Sequence, residues 1–163
     1  MKSIFFIRHA KSSWEDSSLS DIERPLNKRG LRDAPFMAKL LKGKSVIPDR
    51  IVTSPANRAY TTATYFAKEL DISENSLVVR KEIYHAYPED VLGIVRTLDN
   101  ADNTILMFGH NPCFTSIANR FSNDYIPNVP TCGIVQVIAD VAEWTDFQEH
   151  GDLKAFYFPK LYL

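Results

Sequence analysis

Short apolar runs alternate along the chain with longer stretches whose apolar residues recur at helical spacing. Ile4-Phe5-Phe6-Ile7 is too short for a helix and predicts a strand buried on both faces. Pro48 to Thr53, Leu77 to Val79 and Asn103 to Phe108 read the same way, and so do Gly133 to Ala139 and Leu153 to Phe158. Between them, Leu31, Ala34, Met37, Ala38 and Leu41 predict an amphipathic helix with Asn27 as its N-cap and Gly43 as its stop. Pro35 lies inside that pattern and predicts a kink or a split. A second helix is expected from Ala56 to Leu70, with Ser54 as N-cap and Pro55 at its first turn. Pro88 opens a third, carrying Val91, Leu92, Val95 and Leu98, and a fourth spans Cys113 to Phe121. Val141 to Glu149 predicts a short helix containing Trp144.

Strands that alternate with helices imply βαβ units. The expected fold is one α/β domain over residues 1–163, a three-layer α/β/α sandwich. Its sheet is mostly parallel. The short connection between the last two strands calls for one antiparallel strand. Lys11 to Asn27 is a long polar connection, and such loops are often functional or mobile.

Composition narrows the class. A chain of 163 residues suits a single core, and 45% hydrophobic with 24% charged residues is a soluble profile. A net charge of −1 offers no bulk field for nucleic acid, so any anion site is local. No run reaches a membrane span, and the apolar stretch after Met1-Lys2-Ser3 is too short for a signal peptide. Cys113 and Cys132 form neither a disulfide framework nor a metal knuckle, and the expected location is the cytoplasm.

Three predicted strand ends carry the chemistry. The first delivers Arg8-His9, the second Ser54-Pro55 with Arg58 one turn later, and the fourth Gly109-His110-Asn111. In an open parallel sheet these ends share one edge. Two arginines, two histidines and nearby helix N-termini there would attract a phosphoryl group. No G-x-x-x-x-G-K-[ST] or G-x-G-x-x-G sequence is present. Neither cysteine has an arginine six positions on, which disfavours a thiol phosphatase. No metal-ligand pattern appears and no cofactor is expected, so the reaction should resist chelators.

Arg8-His9-Ala10, Ser54-Pro55-x-x-Arg58-Ala59-x-x-Thr62-Ala63 and Gly109-His110-Asn111-Pro112 together resemble the histidine phosphatase, or phosphoglycerate mutase-like, superfamily. The short chain, Arg24-Pro25-Leu26 and Pro159-Lys160 resemble its SixA-type phosphohistidine phosphatase branch. The resemblance implies a covalent phosphohistidine on His9, later hydrolysed by water. Arg8, Arg58 and His110 would bind the phosphoryl oxygens, with Arg24 and Asn111 as further substrate ligands. His9 must present a neutral nitrogen, with a backbone carbonyl fixing its other one. His110 is more useful protonated, so the two histidines are expected to differ in protonation. The family's acidic residue falls in Glu82-Ile83-Tyr84-His85-Ala86, where either His85 or Glu82 is the candidate proton donor, and a phosphoramidate would ease the need for one.

The implied substrate is a phosphohistidine protein. A phosphatase of small phosphate esters is the alternative within the enzyme class. A non-catalytic phosphoprotein-binding module is the alternative outside it. Lys11 lies near enough to reach an anion, Glu89 and His150 read as surface residues, and Trp14, Tyr84 and Tyr87 are candidates for a cleft rim.

Overall fold

A computed structural model describes residues 1–163. Six strands form one sheet: β1 Lys2–Arg8, β2 Arg50–Thr53, β3 Val78–Val79, β4 Thr104–Gly109, β5 Ile134–Ala139 and β6 Asp152–Tyr157. Their order across the sheet is β3-β2-β4-β1-β5-β6. The β3, β2, β4 and β1 strands are parallel, and β5 runs antiparallel to both β1 and β6. Thus β5 is the one reversed strand.

Five helices cover the two faces: α1 Lys28–Gly43, α2 Asn57–Glu69, α3 Pro88–Arg96, α4 Cys113–Phe121 and the short α5 Phe147–His150. Side chains of β1 alternate between the layers. Phe5 and Ile7 pack with Met37, Leu41 and Phe66 under α1 and α2. Ile4 and Phe6 pack with Val91, Ile117 and Trp144 under α3, α4 and the segment before α5. Each buried residue of this size contributes roughly 1.5–3 kcal/mol, so the central strand is anchored from both sides.

The first helix departs from the sequence pattern in two ways. It runs unbroken through Pro35, because burial of Ala34, Met37, Ala38 and Leu41 outweighs the lost backbone bond. Leu31, expected on the apolar face, is 47% exposed, and Gly30 and Asp33 are buried instead. Gly30 is there for a close approach: a Cβ at that position would lie 2.2 Å from the Lys11 carbonyl oxygen. The Asn27 side chain caps α1 by accepting from Gly30 N–H at 2.9 Å. By contrast Ser54 is not a helix cap, since α2 starts at Asn57 behind a tight turn.

The Lys11–Asn27 connection is pinched at its base. Asn27 N–H donates to Lys11 O and Ser13 N–H to Pro25 O, and a single 3-10 turn covers Asp21–Glu23. The connection is thereby tied down as a compact loop over the sheet edge.

Candidate active site

Strand register brings the expected residues to one edge. Arg8 pairs with Gly109 and Thr53 with Phe108. His9, Ser54 and His110 therefore leave their strands side by side. The His9 and His110 ring centroids lie 5.3 Å apart.

His9 is buried, and its Nδ1 lies 2.7 Å from the Ala10 carbonyl oxygen. A carbonyl only accepts, so Nδ1 carries the proton and Nε2 keeps a free lone pair. Burial, together with the nearby Arg58, Arg8 and Arg24, pushes the His9 pKa down to about 3. The imidazole is neutral at pH 7, with the lone pair that a nucleophile needs. Thr62 steadies this segment from α2, where its Oγ1 accepts from Ala10 N–H at 3.0 Å and donates to Arg58 O at 2.7 Å.

His110 corrects one expectation. Burial, His9 and Arg58 lower its pKa to about 3 as well, so both histidines are neutral before an anion arrives. Its Nε2 lies 2.8 Å from Ser54 Oγ, and its Nδ1 is buried without a protein partner. Ser54 Oγ also accepts from Ala56 N–H at 3.2 Å, which leaves its own proton free to point at Nε2. With Ser54 donating to Nε2, the His110 proton sits on the buried Nδ1.

The arginines are held at their far ends. Arg8 Nη1 donates to Val129 O at 3.0 Å. Arg58 Nη1 donates to Asp21 O at 2.7 Å and its Nη2 to Asp21 Oδ2 at 3.0 Å. Both Nε atoms are buried and unpartnered within the protein. Arg24 spends its donors on the loop: Nε and Nη2 bond Asp21 Oδ1, and Nη1 bonds Ser12 Oγ and Ser13 O. Its guanidinium also stacks 3.5 Å from the Trp14 ring centroid. Tyr84 Oη donates to Asp21 Oδ2 at 2.5 Å. Hydrogen bonds from Tyr84 and Arg58 hold the Asp21 carboxyl well below the usual carboxylate range.

Two cavities meet here. One of about 290 Å³ is lined by Arg8, His9, Arg24, Arg58 and His110, among others. A neighbouring cleft of about 600 Å³ shares Arg58, His110 and Asn111 with it, and adds Asp21, Tyr84, His85 and Tyr87. His85 is exposed on this cleft in the left-handed backbone region, at φ 57°. Glu82 lines neither cavity, and a hydrogen bond from its own backbone N–H, with Arg80 at 3.4 Å, helps hold it ionised. Asn111 borders both cavities but uses both ends of its amide internally. Its Nδ2 donates to Asn128 Oδ1 and Val129 O, and its Oδ1 accepts from Thr115 N–H.

Sequence reasoning did not single out Asp21, because a lone carboxylate in a polar loop reads as solvated. It read Ser54 as a cap and passed over the role of Thr62. The four-residue spacing from Arg58 to Thr62, which stacks the two on one helix face, was the available signal.

Residues 4–83 match the family model described as histidine phosphatase superfamily (branch 1). An uncharacterized chloroplastic protein of Arabidopsis thaliana is 28% identical over 151 residues, covering 88% of this chain and 69% of its own. The SixA structure from Agrobacterium tumefaciens superposes with a TM-score of 0.81 at 24% identity, over 97% of this chain and 98% of that one. The protein histidine phosphatase SixA complexed with tungstate gives 0.80 at 24% identity, over 94% and 95%. Residues 4–83 thus carry the histidine phosphatase superfamily match, and the chain as a whole has the fold of the SixA structures.

Proposed function

We propose that this protein is a phosphatase that works through a phosphohistidine on His9, and that its substrate is a phosphohistidine displayed on another protein. One observation carries the phosphatase reading: three buried nitrogens, Arg8 Nε, Arg58 Nε and His110 Nδ1, have no partner within the protein. An unsatisfied buried donor costs about 1–3 kcal/mol. A site that keeps three of them beside a free imidazole lone pair is suited to an oxyanion. The tungstate held by the similar SixA structure supports the same reading.

His9 Nε2 attacks phosphorus in line, and the bond to the leaving group breaks as the new P–N bond forms. Arg8, Arg58 and His110 donate to the phosphoryl oxygens as charge builds on them. Water then attacks the phosphohistidine, the P–N bond breaks, and inorganic phosphate leaves with Nε2 regenerated. These donors supply the charge stabilisation, and we propose that no metal is needed.

The substrate reading rests on the acid side of the site. Asp21 is held ionised and Tyr84 spends its hydroxyl proton on it, which leaves His85 as the candidate proton donor lining the cleft beside Arg58 and His110. A weak acid supply suits a P–N bond, whose nitrogen is protonated more readily than an ester oxygen. Trp14, 72% exposed, and Tyr87, 76% exposed, leave the rims open to a macromolecule.

The test sets a phosphohistidine protein beside a panel of small phosphate esters, with and without EDTA. Faster turnover of the phosphohistidine, unchanged by EDTA and lost in His9→Ala, is expected. Wild-type rates in His9→Ala, or metal-restored activity after chelation, would overturn the mechanism. Preference for an ester would overturn the substrate.

A further inference from the structure

A third cavity, of about 220 Å³, adjoins the phosphoryl pocket through the shared Thr131. Its lining includes Arg29, Arg32 and Lys160, over an apolar floor that includes Phe158 and buried Pro159. Arg32 is neutralised by Asp33 at 2.8 Å. Arg29 and Lys160 have no carboxylate within 4.0 Å. Arg29 is instead oriented by Thr131, whose Oγ1 accepts from its Nη2 at 3.2 Å. It also sits close enough to Arg8 for the two like charges to oppose each other. Two uncompensated cations beside an already cationic pocket raise the local positive potential, and a cavity focuses it.

We propose that this cavity is a second anion subsite, which takes a carboxylate or phosphate carried by the same substrate whose phosphoryl group sits on His9. The inference rests on the phosphoryl pocket of the proposed function, and adds to it a requirement on the rest of the substrate. Thr131 lines both cavities, so one substrate molecule can reach into both, and the chain-length series measures the span between its two anions. A phosphohistidine next to an acidic residue meets that requirement, and so does a small phosphate bearing a carboxylate.

Binding is measured by calorimetry, so that it does not depend on turnover. One arm compares methylphosphonate with phosphonocarboxylates of increasing chain length on the wild-type protein. The other compares phosphohistidine peptides flanked by Glu or by Ala on His9→Ala. The expected gain from the second anion is about tenfold at low salt, in at least one arm. Arg29→Gln with Lys160→Gln removes that gain, while methylphosphonate, which reaches only the phosphoryl pocket, loses much less affinity. The arm that shows the gain identifies the source of the anion. No gain in either arm, or a gain that survives the double substitution, would overturn the subsite. Full gain without turnover of any phosphate would leave the subsite standing and overturn the phosphatase.

Discussion

Asp21 grips Arg58 at two points, through its backbone carbonyl on Nη1 and its carboxylate on Nη2. The outer edge of the guanidinium is thereby occupied, and Nε is turned inward with no partner in the protein. The loop residue thus sets the direction in which a helix residue presents its charge. Removing the carboxylate leaves Arg58 held by the backbone carbonyl alone and looser in direction. Asp21→Ala is expected to lower kcat by roughly tenfold, the loss of about one charge-assisted hydrogen bond. KM should change less, and Asp21→Asn should retain an intermediate rate. A kcat equal to wild type in both variants would show that Arg58 is oriented by its other contacts.

Ser54 holds His110 as Asp21 holds Arg58. With Ser54→Ala, Nε2 loses its partner and the His110 proton is free to leave Nδ1. Tungstate affinity should fall by about tenfold, with the thermal midpoint nearly unchanged. Titration calorimetry on the two proteins checks this directly. Equal affinities would assign Ser54 to the turn before α2 alone.

Acid sensitivity follows from the two histidines. Both have folded pKa values near 3, below the ordinary value of about 6.5. Between those values the unfolded chain binds more protons than the folded one, so stability rises with pH. Their contribution is complete above about pH 6.5 and is lost as pH falls through that value toward 3. The lowered carboxyl of Asp21 adds a loss of the same sign at still lower pH. An oxyanion between the imidazoles reverses the penalty on their charged forms, so tungstate binding at pH 5 should take up protons. Calorimetry in buffers of different ionisation enthalpy measures that uptake, and zero uptake would show that the anion does not raise the imidazole pKa values.

Gly109 ends β4 one residue before His110. A Cβ there would stand 2.5 Å from the Phe114 ring and 2.9 Å from the Ile83 side chain. Gly109→Ala should destabilise the fold by about 1–3 kcal/mol through overpacking, and lower activity by displacing His110. A thermal melt and a rate at one temperature suffice, and an unchanged melting temperature would mean that Phe114 yields without cost.

The strand ends were legible because their signals are local. Apolar runs that stop at Arg8-His9 and Gly109-His110 mark the edge of a sheet without any knowledge of packing. Long-range burial was not legible. The single protonation state of both histidines depends on four segments meeting in space, which no spacing announces. Asp21 is hidden for a related reason, since its partners Arg58 and Tyr84 lie 37 and 63 residues away. Pro35 misled in the opposite sense, because its local cost was visible and the core that outweighs it was not.

The reversed strand β5 gives the site a division of labour. Every other strand near the histidines finishes at that edge, whereas β5 begins there. Its approach, from Ser122 to Gly133, arrives over the pocket and lays the Val129 carbonyl on Arg8. An arriving segment can lengthen without shifting any strand end that carries a histidine. The wall over the reacting group is therefore open to variation while the chemistry beneath it stays fixed, and remodelling this approach is the route by which the scaffold could be given a narrower choice of substrate.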